Sequence, residues 1–127
     1  MTAIGLVFTG VAVLLHGYIF VMESLQWTAP RTRATFGMSA AEAEATKEMA
    51  FNQGFYNLFL AVVAAIGMGF TAFGDKGIGL ALVLAGAGSM VAAGVVLLAS
   101  SPGRARPALI QLLPPLIGCV ALAIARL

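Results

Sequence analysis

Residues 2–26, TAIGLVFTGVAVLLHGYIFVMESLQ, decide what kind of chain this is. The stretch contains no Lys or Arg, and His16 and Glu23 are its strongest polar groups. A helix needs about 20 predominantly apolar residues to cross a hydrocarbon layer about 30 Å thick, and this run is long enough. It has no cationic start and no A-x-A site after it, so it reads as a retained helix rather than a cleaved leader.

Working outward, the run ends at the corner Trp27-Thr28-Ala29-Pro30-Arg31, because a proline disfavours helix in the residue before it. Arg31, Arg33 and Phe36-Gly37-Met38 follow as a connection. Ser39-Ala40-Ala41-Glu42 matches a capping box, a hydroxyl residue with Glu three positions later. It opens a second span expected over 41–73. At 1.5 Å per residue that helix is roughly 50 Å long, so its first turns, with Glu42, Glu44 and Lys47, should project into headgroups or water. Gly74-Asp75-Lys76-Gly77 is a polar turn before a third span over 78–99. Ser100-Ser101-Pro102-Gly103 ends that span, and Arg104 and Arg106 precede a fourth over 107–125. Pro114 and Pro115 should kink the fourth span and free backbone carbonyls near its middle. The expected architecture is all-α: one domain, residues 1–127, forming an integral membrane four-helix bundle with a long second helix.

Composition supports this. The 127 residues are 61% hydrophobic and only 9% charged, whereas soluble domains carry about 25% charged residues to wet their surface. The net charge of +2, with no interleaved basic and aromatic surface, argues against a nucleic-acid partner. The single cysteine, Cys119, lies in an apolar run and reads as a small buried hydrophobe. In the third span Gly79, Gly86 and Ala93 recur every seven residues, and Gly88 and Ala92 form a small-xxx-small pair. Small residues let helices approach closely in lipid, so this span reads as packing surface within the bundle or between protomers of a homo-oligomer. Arg31, Arg33, Lys47, Arg104 and Arg106 fall at one end of the spans, against Lys76 and Arg126 at the other. Positive loops stay in the cytoplasm, which places both termini outside.

Ionisable groups within a membrane are costly and usually functional. His16 and Glu23 are seven apart and would share a helix face, with Phe20 between them and Trp27 one turn beyond. In the second span Glu48, Asn52 and Tyr56 are each four apart, and Gln53 and Asn57 make a neighbouring stripe. In antiparallel helices Glu23 should lie level with Glu48 and Asn52. His16, about 10 Å deeper, should lie level with Tyr56 and Asn57. Two such stripes describe a pocket that opens towards the cytoplasmic leaflet. The plainer reading makes Asn52, Gln53 and Asn57 interhelical hydrogen-bond glue, and Trp27 an interfacial anchor.

At these residues the sequence resembles a family of small bacterial membrane proteins of unknown function. His16 with Glu23, Trp27-Thr28-Ala29-Pro30-Arg31, Phe36-Gly37 and Asn52-Gln53-Gly54-Phe55-Tyr56-Asn57 carry the resemblance, over roughly the first half of the chain. It implies a four-helix protein of the bacterial inner membrane and no particular activity. The His-plus-Glu arrangement is also loosely similar to membrane sterol isomerases of the emopamil-binding type, an analogy of site chemistry.

The chemistry that fits this set is proton-driven isomerisation or cyclisation of a terpenoid or sterol-like molecule. Two carboxyls close together in a low-dielectric space share one proton, so Glu23 and Glu48 would supply a general acid. The faces of Trp27, Phe20 and Tyr56 would stabilise a carbocation, Asn52 and Asn57 would orient the acid, and His16 or the other carboxylate would take the final proton. No cofactor is needed, and one His with two scattered Glu residues is a weak metal signal. Two other readings stay open. One is a proton-coupled exporter, similar in architecture to the small multidrug transporters. The other is a non-enzymatic lipid-binding subunit.

Overall fold

A computed structural model describes residues 1–127. Helix α1 (Thr2–Phe20) runs directly into a π turn, Val21–Leu25. A short helix α2 (Pro30–Phe36) follows, then α3 (Ala40–Phe73), α4 (Lys76–Ser100), a 3₁₀ turn (Pro102–Arg104) and α5 (Ala105–Ile124). The chain is an integral membrane four-helix bundle, with four helices long and apolar enough to span a bilayer. Large apolar side chains face outward all along them: Leu14 is 76% exposed and Val96 64%. In water such a continuous apolar belt would drive association; in a bilayer it is the solvated surface.

The connections follow from local chemistry. Ser39 Oγ accepts from the Glu42 amide at 3.1 Å and Glu42 Oε2 accepts from the Ser39 amide at 2.9 Å, so the capping box forms. Beyond it, Glu44 and Lys47 form an exposed ion pair. Asp75 caps α4, its Oδ1 accepting from the amides of Gly77 at 2.7 Å and Ile78 at 3.0 Å. The Ile78 and Gly77 amides hold this carboxyl below its ordinary range. The cap therefore contributes at neutral pH and is lost only as pH falls through that lowered value. One expectation is corrected: the connection after Trp27 winds into α2 instead of remaining a loop. Pro30 suits the first helical position, whose amide needs no partner. Gly37, at φ 66°, ends the helix in the left-handed conformation.

The four long helices form a ring. α1 packs on α3 and α5, α4 packs on α3 and α5, and α1 and α4 barely meet across the middle. Ala12, Ala61, Ala64, Val83, Ala87, Met90, Cys119 and Leu122 form the core. Small residues let backbones touch. A methyl on Gly86 would lie 2.7 Å from the Ala64 amide nitrogen, and one on Gly67 2.7 Å from that of Val83. Of the small residues singled out in α4, Gly79 and Gly86 are therefore used inside the bundle. Gly88 has open space beside it, and Ala92 and Ala93 are exposed.

Where α1 crosses α5, Gly118 receives Thr9, which is fully buried and whose hydroxyl has no hydrogen-bond partner. A buried unsatisfied polar group costs about 1–3 kcal/mol. Thr9→Val keeps the shape and removes that cost, so it should raise stability by up to that amount in a detergent melting experiment. A clear loss of stability would show that the hydroxyl has a partner.

Candidate functional site

The π turn is where chemistry and structure coincide. Its widened bond runs from the Gln26 amide to the Val21 carbonyl, 3.0 Å and five residues back. The π turn is the last turn of the first span and contains Glu23, whose Oε2 accepts from Asn57 Nδ2 of α3 at 3.0 Å. Glu23 is half-buried, Asn57 is its only protein hydrogen-bond partner, and no cation pairs with it. Asn57 also donates to the Gln53 carbonyl in its own helix at 3.1 Å, which fixes its rotamer.

Around this pair α1 and α3 are bound tightly. Ser24 Oγ donates to the Phe51 carbonyl at 2.7 Å, in the turn before Gly54. A methyl on Gly54 would come within 2.9 Å of the Ser24 amide nitrogen. Gly54→Ala should therefore push α1 and α3 apart and cost roughly 1–3 kcal/mol, the usual penalty of overpacking. Gly17→Ala, in α1 with nothing within 4 Å, should stay within about 0.5 kcal/mol of the parent. Equal melting of the two variants would contradict this close approach. On one flank Phe20 meets Phe55 edge-on at 5.0 Å, and Phe55 continues a row with Phe51 and Phe59.

His16 is 2% exposed and follows the buried face of α1 after Thr9 and Ala12. Its Nδ1 lies 2.9 Å from the Ala12 carbonyl oxygen, so Nδ1 carries the proton in that bond. Nε2 then presents a lone pair, and no hydrogen bond joins the ring to Glu23. Seven residues share a face along an uninterrupted α-helix, whereas Glu23 lies inside the π turn that follows α1. Trp27 donates from Nε1 to Thr46 Oγ1 at 3.0 Å and packs at a tilt on Phe36, ring centroids 5.0 Å apart, so it is a post at the α2 corner.

The remaining residues of α3 are not gathered at Glu23. Glu48 is nine residues, or two and a half turns, from Asn57 and leaves the opposite side of the helix, exposed. Asn52 donates to the Glu48 carbonyl in its own helix at 3.1 Å and is exposed. Tyr56 is 69% exposed, and Gln53 is exposed. The two-stripe pocket expected from the sequence is thus a narrower arrangement, with Glu23 and Asn57 as its polar pair. Ser24 and Gly54 close the α1–α3 contact, with Phe55 packed on Phe20, and none of the three was singled out as a site residue. A glycine inside a long helical run, and the four-residue spacing of Phe51, Phe55 and Phe59, were the available signals.

A cavity of about 480 Å³ lies on another side of α1, bounded by α2, the end of α4 and the start of α5. Its lining includes neither His16 nor Glu23.

Fold and site together define a multi-pass membrane protein with a carboxyl held between two of its spans. The chain belongs to the family described as protein of unknown function DUF1304, whose model matches residues 10–123. Comparison with curated proteins and with solved structures returns no match.

Proposed function

We propose that this protein is an acid–base enzyme acting on a hydrophobic, terpenoid or sterol-like molecule that reaches Glu23 from the surrounding lipid. The observation that carries the reading is a carboxyl between α1 and α3 with one amide partner and no cation. A carboxyl in such surroundings is expensive to maintain unless it is used. Glu23 is the proton donor, and the Asn57 amide orients it. Delivery of a proton to an alkene leaves a carbocation. In this scheme the ring faces of Phe20 and Phe55, which pack on each other between α1 and α3, stabilise it by cation–π attraction. His16, whose Nδ1 is taken by the Ala12 carbonyl, takes the final proton on Nε2 in this scheme. Glu48, on the far side of α3, is left out of this scheme; so are Asn52, Gln53 and Tyr56 as groups that orient the acid.

The reading carries a location with it: a bacterial inner membrane, with both termini outside and the arginine-rich connections in the cytoplasm. It needs no cofactor, and any homo-oligomer would use the outer faces such as Gly88 and Ala92. Export of cations is less well supported, because transporter sites lie near the midplane and Glu23 lies in the last turn of its span.

The test does not require the substrate to be known. Purified protein in liposomes made with a bacterial isoprenoid-rich lipid extract is incubated in heavy water. Proton-initiated isomerisation or cyclisation places solvent deuterium on carbon, which mass spectrometry of the extracted lipids detects. Absence of protein-dependent carbon-bound deuterium across sterol and isoprenoid extracts would reject the proposal.

A further inference from the structure

Two hollows adjoin where α1 meets α5, and Glu23 lines neither of them. The more enclosed one, about 480 Å³, is walled by Ile19 and Met22 of α1, Phe36 of α2 and Leu97 of α4. The second is an open groove walled by Leu109, Leu113 and Pro114 of α5. Leu15 of α1 and Ile110 of α5 line both, forming a shared ridge. Each hollow has an arginine in its lining: Arg104 in the enclosed one and Arg106 in the open one. The single ion pair in the structure joins Lys47 to Glu44, so neither guanidinium is matched by a carboxylate.

This is the shape and charge of a lipid with two chains and one anionic head. We infer that a diacyl anionic phospholipid straddles the Leu15–Ile110 ridge, one chain in the enclosed cavity and the other in the open groove. Its phosphate bridges Arg104 and Arg106. Cavities of roughly 300–1,000 Å³ suit small hydrophobic ligands, and basic pockets between membrane helices bind anionic head groups. Guanidinium takes phosphate through paired charge-assisted hydrogen bonds. A zwitterionic lipid has the same chains, but its head brings a cation towards two arginines. A single-chain lipid leaves one hollow unfilled. The ends of the bundle differ accordingly: the other end carries Lys76 and Arg126, near the Asp75 carboxyl. The inference stands apart from the Glu23 chemistry, since neither Glu23 nor Asn57 lines either hollow.

The experiment is native mass spectrometry of delipidated protein in a neutral detergent. It is titrated with phosphatidylglycerol, phosphatidylcholine and lyso-phosphatidylglycerol of matched chains. Phosphatidylglycerol should bind at least tenfold more tightly than either of the others. Arg104→Gln with Arg106→Gln should erase the preference over phosphatidylcholine, whereas Arg126→Gln should keep it. Equal affinity for phosphatidylglycerol and phosphatidylcholine overturns the inference, as does a preference unchanged in the double variant. Lyso-phosphatidylglycerol binding as tightly as the diacyl lipid also overturns it, because the second hollow would then be idle. The comparison of three lipids on the parent protein decides the matter even if the double variant does not fold.

Discussion

Glu23→Gln should lower solvent-deuterium transfer to lipid at least about 100-fold while leaving the detergent melting curve almost unchanged. The two effects separate because Gln has the shape of Glu and keeps an oxygen that can accept from Asn57 Nδ2, now at 3.0 Å from Glu23 Oε2. It cannot deliver a proton. General acid catalysis contributes about 10²–10⁴-fold, so loss of the acid alone supplies the whole expected drop. Asn57→Leu tests the same pair from the other side. It keeps the acid and removes the group that aims it, so turnover should fall less than in Glu23→Gln. Were Glu23→Gln to melt far lower and lose deuterium transfer only in proportion, Glu23 would be a packing group. Unchanged transfer in this variant would remove Glu23 from the chemistry altogether.

A large structural effect is expected at Gly86. A methyl there would meet the Ala64 amide nitrogen at 2.7 Å and the Leu60 carbonyl oxygen at 2.8 Å. Both neighbours are helix backbone, and neither can rotate aside as a side chain would. Gly86→Ala must therefore separate α3 from α4, and should cost roughly 1–3 kcal/mol. Adding Gly67→Ala, which meets the Val83 amide along the same seam, should lower stability further. Gly88→Ala is the control, since its methyl would meet nothing within 4 Å and should change stability by less than about 0.5 kcal/mol. The measurement is thermal unfolding in detergent, followed by helicity or by loss of monodisperse protein. If Gly86→Ala and Gly88→Ala melted together, α3 and α4 would not be in backbone contact.

Much of the fold was legible because its causes are local. The long apolar runs, the proline and glycine punctuation, the Ser39–Glu42 box and the Asp75 cap act on residues a few positions away. Even α2, read as a loop, had its signals in place, with Pro30 at its start and Gly37 after its end. The site was legible in part. Glu23 and Asn57 were both among the residues singled out, and the structure joins them. The grouping of Glu48, Asn52 and Tyr56 with them rested on a different face of α3 from the one that Asn57 uses. Four-residue spacing defines stripes on a helix, but not which stripe turns towards a neighbour.

The π turn had no such signal, since Val21-Met22-Glu23-Ser24-Leu25 contains neither Pro nor Gly. It changes the winding of the helix at Glu23, and no hydrogen bond joins Glu23 to His16. The paired hollows beside Leu15 and Ile110 were equally hidden, because their walls come from α1, α2, α4 and α5. Hydropathy, capping and turn chemistry belong to neighbouring residues and can be summed along a chain. The rotation of each helix about its own axis is set by which small residues let another backbone approach. That contact exists only after the helices have come together, and it chose Asn57 as the partner of Glu23.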